Sequence, residues 1–105
     1  MKGDIYAKMQ KYDLALASYG ASLKLLPDNE RIWKARAVCY IDMGRYKEAL
    51  SDLSEAIRLH PTAAEYNLRA SVYAKLGNKE LARKDREMSQ NKDLESMGKS
   101  GHRPL

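Results

Sequence analysis

Residues 36–50 read RAVCYIDMGRYKEAL, with Ala37, Tyr40, Gly44, Tyr46 and Ala49 at fixed intervals and charges filling the gaps. The spacing predicts two helices divided at Gly44. Working outward, ERIWKARAVCYIDM sets Trp33, Ala37 and Tyr40 on one helical stripe. RYKEALSDLSEAIRLHP does the same with Tyr46, Ala49, Leu53, Ala56 and Ile57 before Pro61 stops the second helix. Gly44 suits a left-handed turn, and Pro61 lacks the donor a helix would need. Ala37, Ala49 and Ala56 let two helix backbones approach, while the aromatic residues fill the space around that contact. The stretch encodes a helical hairpin.

The hairpin recurs. Tyr6, Met9, Tyr12, Ala15 and Pro27 return 34 residues later as Tyr40, Met43, Tyr46, Ala49 and Pro61. Arg36, Ala37, Tyr40, Gly44, Ala49 and Asp52 return after 33 as Arg69, Ala70, Tyr73, Gly77, Ala82 and Asp85. The lost residue falls near Thr62, in a predicted turn, where a deletion does not rotate a helix face. The expected units are 1–29 (a truncated first hairpin turning at Gln10 and Lys11), 30–62 (a second hairpin) and 63–95 (a third hairpin with a polar capping helix). Residues 96–105 read as a disordered basic tail.

Composition agrees with an all-α chain. In 105 residues there is no Phe, and helix-favouring residues predominate. One domain is the upper bound for this length. No segment approaches the roughly 20 apolar residues of a membrane span, and the start of the chain has no signal-peptide pattern, so an intracellular setting is expected, the cytoplasm first, with the nucleus or a cilium as alternatives. Cys39, the single cysteine, lies within an apolar helical stretch and reads as a small buried hydrophobe.

These residues resemble the tetratricopeptide repeat family, whose units of about 34 residues carry this order of aromatic, small, aromatic, glycine, aromatic and alanine positions. The middle unit matches nearly throughout. The first unit keeps Gly3 and Tyr6 from its first helix and Tyr12, Ala15, Tyr19, Ser22 and Pro27 from its second. The third departs at Lys79 and Arg86, where apolar residues are expected, and so reads as the end of the array. The resemblance covers about residues 1–93 and implies a right-handed superhelix of about two and two-thirds hairpins. About three repeats are the usual minimum for a stable array. The shortfall leaves three expectations: a marginal monomer, a homodimer through the N-terminal edge, or a piece of a longer protein.

The resemblance further implies a scaffold without catalysis or cofactor that binds a partner segment in the groove lined by the first helix of each unit. Residues off the packing stripe there are Lys8 in the first unit, Arg31, Lys34, Val38 and Ile41 in the second, and Asn67, Ser71 and Lys75 in the third. They make a cationic edge around an apolar floor, which suits a protein or peptide segment with acidic and apolar side chains. Relatives that hold the acidic C-terminal tails of chaperones use a carboxylate clamp. Here Asp4 and Ala35 stand where its asparagines would be, and Ala64 and Leu68 where its lysine and arginine would be. A chaperone tail is therefore not the expected ligand.

The alternative is a basic helical module that binds RNA or another polyanion, prompted by a net charge of +5 and seven tyrosines. Acids interleave with bases through NKELARKDRE, however, and most tyrosines fall at packing positions. Nucleic acid and membrane are not expected partners. His60 and His102 are isolated, and no metal cluster, nucleophile with a base or phosphate loop is readable. No enzyme activity and no metal site are expected.

Overall fold

The computed structural model describes residues 2–99, with side-chain surroundings for residues 11–92. Five helices follow one another: α1 (Lys2–Leu25), α2 (Glu30–Asp42), α3 (Tyr46–Leu59), α4 (Ala63–Lys75) and α5 (Lys79–Lys99). Helices α2 and α3 form one hairpin and α4 and α5 the next, stacked through α3 against α4. The result is the expected all-α array of helical hairpins.

The two hairpin turns are built alike. Gly44 and Gly77 have φ of 78° and 81°, left-handed conformations that side chains other than glycine's strain to reach. In the first turn Gly44 N–H donates to the Ile41 carbonyl at 2.9 Å and Arg45 N–H to that of Tyr40 at 2.8 Å. In the second, Gly77 donates to Ala74 at 3.0 Å and Asn78 to Tyr73 at 2.9 Å. These paired bonds are Schellman caps, which satisfy the last carbonyls of the helix while reversing the chain. Side-chain caps start α2 and α5: Asn29 Oδ1 accepts from Arg31 N–H at 3.0 Å, and Asn78 Oδ1 from Leu81 N–H at 3.2 Å.

The first unit departs from expectation. Instead of turning at Gln10 and Lys11, the chain continues as α1, 24 residues without interruption. The repeat register explains this, because the position of Gly44 and Gly77 is held by Gln10, and without glycine the left-handed turn is costly whereas another helical turn is not. At the other end α5 persists to Lys99, so residues 96–99 belong to the helix rather than to the expected tail. Positions 100–105 lie outside the described residues.

The core centres on Ala37, Leu53 and Val72, with Ile41, Tyr46, Leu50 and Leu68 packed against them. Ala49, Ala56, Ala70 and Ala82 are also buried, which is what close helix approach within and between hairpins requires. Cys39 is buried, and burial pushes its thiol pKa up, with smaller contributions from Asp42 and Asp13. The α3 face that meets α4 carries Tyr46, Leu50, Leu53 and Ile57. One repeat later α5 carries Lys79, Arg83, Arg86 and Gln90, all exposed.

Capping geometry does not excuse Ala82 from tight packing, since it is as completely buried as Ala49. Ala49→Leu and Ala82→Leu should each lower stability by about 1–3 kcal/mol through overpacking. Urea unfolding followed by circular dichroism would show this, and an unchanged midpoint in either variant would contradict the close helix contact at that site.

Candidate functional site: the inner face of α2 and α4

Each complete hairpin is held by the same polar clasp. Arg36 on α2 donates from Nε and Nη2 to the two carboxylate oxygens of Asp52 on α3, both at 2.8 Å. Arg69 on α4 does the same to Asp85 on α5, at 2.8 and 2.9 Å. The planar guanidinium matches a carboxylate in this two-point geometry. The Asp52 side chain is only 3% exposed and that of Arg36 22%. The hydrogen bonds to Asp52 and Asp85 raise the pKa of each arginine further above its ordinary value. Aromatic rings flank both guanidinium groups: Arg36 lies 5.0 Å from the Trp33 ring centre and 5.9 Å from that of Tyr40, and Arg69 lies 5.7 and 5.9 Å from Tyr66 and Tyr73. Trp33 is itself fixed by its Nε1–H bond to the Pro27 carbonyl at 2.8 Å.

Among the described residues, polar links join one hairpin to the next. Arg69 Nη1 donates to Ser54 Oγ at 3.1 Å. On the inner face, Lys34 Nζ lies 3.4 Å from Glu65 Oε1. Glu65 is buried in the first turn of α4, where the helix dipole favours a carboxylate, and its Oε2 has no hydrogen-bond partner.

The structure sorts the residues expected to line the groove. Arg31, Asn67, Ser71 and Lys75 are exposed, and Val38 is 40% exposed. Lys34 is engaged by Glu65 and acts as a strut between hairpins. Ile41 packs against the core, so the apolar floor contracts to Val38, with exposed Ala74 beside the cationic end. The side chain of Lys8 lies outside the described residues. Of the positions examined for a carboxylate clamp, Ala64 is exposed and Leu68 packs against the core. An open depression lies elsewhere, at the α1–α2 corner around Leu25, Pro27 and Arg31. Among the described residues no group of three or more His, Cys, Asp or Glu could hold a metal ion, and no helix is long and apolar enough to cross a membrane.

Recurring hairpins closed by left-handed glycines, packed through alanines and lined by first helices on an inner face define a helical repeat protein. The family profile described as tetratricopeptide repeat matches residues 1–64 and 40–85, and the chain belongs to this family. It is 34% identical over 82 residues to U-box domain-containing protein 70 of Oryza sativa subsp. japonica and 36% identical over 61 residues to the Hsp70-Hsp90 organizing protein of Triticum aestivum. Those alignments cover 77% and 58% of this chain but only 10% of each relative. Among solved structures, MamA (MSR-1) superposes with a TM-score of 0.77 at 26% identity, over 87% of this chain and 53% of MamA. The second TPR of Spaghetti (RPAP3), bound to the HSP90 peptide SRMEEVD, gives 0.73 at 25% identity, over 87% of this chain and 85% of that one.

The clasp escaped the sequence reading, although its signal was present: opposite charges recur together at a separation of 16, in Arg36 with Asp52 and Arg69 with Asp85. Arg36→Ala should lower stability by about 3 kcal/mol, because it leaves the buried Asp52 carboxylate unpaired. Replacing both partners, as Arg36→Met with Asp52→Leu, should cost less than Arg36→Ala alone. Urea denaturation of the variants checks the order.

Proposed function

We propose that the chain is a non-catalytic interaction module that receives a partner segment along the inner face of α2 and α4. The supporting observation is that Arg31 and Val38 on α2 and Asn67, Ser71 and Lys75 on α4 stay exposed on successive first helices, while Arg36, Arg69 and Lys34 are engaged by Asp52, Asp85 and Glu65 within the fold. A segment with carboxylates for Arg31 and Lys75 and an apolar side chain for Val38 fits that surface. The peptide held by the RPAP3 neighbour, SRMEEVD, has this mixture of acids with Met and Val. Without clamp residues at Asp4, Ala35, Ala64 and Leu68, recognition here rests on side chains of the segment rather than on a terminal carboxylate.

Ring stacking on nucleic acid gains little support, since all the tyrosines among residues 11–92 are buried or half-buried. The exposed cations of α5 are interleaved with acids, as in the Arg83 and Glu87 pair at 3.9 Å.

SRMEEVD serves as the probe, titrated into the isotope-labelled chain. The expected shifts fall at Val38, Ser71 and Lys75, persist when the peptide C-terminus is amidated, and weaken at least tenfold for the Arg31→Glu, Lys75→Glu variant. Lys34 is left intact, because reversing it would set a second carboxylate beside buried Glu65. Shifts absent from α2 and α4 would overturn the groove reading, and loss of binding on amidation would restore the clamp. Tighter binding of oligouridylate RNA than of the peptide would favour the polyanion alternative.

A further inference from the structure

The first unit contains both halves of a hairpin but not the turn. Residues 2–12, KGDIYAKMQKY, stand in register with RAVCYIDMGRY at 36–46, sharing Tyr6 with Tyr40, Met9 with Met43 and Tyr12 with Tyr46. At the hinge, MQKY replaces MGRY. The straight α1 therefore carries a first-helix sequence in its N-terminal half and a second-helix sequence in its C-terminal half.

That C-terminal half has two faces with different fates. Tyr12, Leu16, Tyr19 and Leu23 are half-buried or buried, at the register positions through which α3 meets α4. The other face holds Ala15, Ser18 and Ser22, which correspond to Ala49, Asp52 and Ala56 on α3. On α3 those three are covered by the first helix of their own hairpin, with exposures of 0, 2 and 0%. On α1 Ser18 is exposed and Ala15 and Ser22 are half-buried, and Leu14 beside them is 65% exposed. The surface prepared for a first helix is only partly covered, because straightening has carried that helix away along the same axis.

We infer that two copies of this chain exchange residues 2–10, each N-terminal half of α1 lying antiparallel along residues 10–18 of the other copy. The occupant follows from continuity with the interface already present twice in the molecule, since the exchanged segment would make against α1 the first-on-second-helix contact that α2 makes with α3. A hairpin is antiparallel and so is the exchanged pair, so one two-fold axis near residues 10–12 completes both copies with the same patch on each. Exchange also adds a third first helix to the inner face and brings the position of Lys8 into line with α2 and α4, so that face is complete only in the dimer. The inference does not depend on the peptide reading, because its readout is mass.

Sedimentation velocity of the full chain between micromolar and submillimolar concentrations should show a dimer. Gln10→Gly recreates the MG turn and should weaken dimerisation at least tenfold with helical content unchanged by circular dichroism. Leu14→Lys, at an exposed site, should weaken it without touching the hinge. Lysine cross-linking of mixed light and heavy isotope copies provides a measurement on the unmutated chain. Lys2 and Lys24 are about 33 Å apart along one straight helix, so their links should join light to heavy copies. A monomer throughout, a dimer indifferent to both substitutions, or Lys2 to Lys24 links confined to single copies would overturn the exchange.

Discussion

Two-point pairing of arginine with aspartate between the helices of one hairpin is the constraint on which the arrangement depends. It requires backbones close enough for a guanidinium on one helix to meet a carboxylate on the next at 2.8–2.9 Å, and only alanines such as Ala37, Ala49 and Ala56 leave that room. Such a pair contributes less net free energy than its geometry suggests, because both ions must leave water. Its larger effect is on register. A slip of one residue would remove Asp52 from Arg36 and leave a buried charge unpaired, so each hairpin has one acceptable alignment.

The first unit shows the same rule from the opposite side. At its clasp positions stand Lys2 and Ser18, and at its turn position Gln10. Neither the conformational permission of glycine nor the two-point ion pair is available, and the unit is a single helix. The loss of two local devices thus changes the topology of one-third of the array while leaving its hydrophobic pattern recognisable.

The hairpin stack also divides the cations by role. Arg36 and Arg69 are structural, Lys34 braces α2 against α4 through Glu65, and Arg31 and Lys75 are exposed on the inner face. A basic net charge is therefore a poor guide to which cations stay exposed. Family membership makes a protein-interaction module the natural context, and under the proposed function the exposed side chains of α2 and α4 are the chemistry offered to a partner.

Periodicity in the sequence was enough to determine the two complete hairpins, their glycine turns, the alanine contacts and the family, because each depends on neighbours at fixed helical spacing or on a 33-residue recurrence. The inner face was legible only in part: Arg31, Val38, Asn67, Ser71 and Lys75 are exposed, whereas Ile41 packs against the core beside Leu53 and Val72. Register alone does not reveal how far a neighbouring helix tilts over a side chain. Tertiary structure decided the pairing of Arg36 with Asp52 and the capture of Lys34 by Glu65, and revealed the continuity of α1. The pairings join residues 16 and 31 positions apart, and the continuity turns on whether the chain reverses at Gln10. The pairings draw on groups brought together across helices, which one-dimensional spacing does not contain, whereas the continuity of α1 follows from the backbone preference of Gln10 where the other units have glycine.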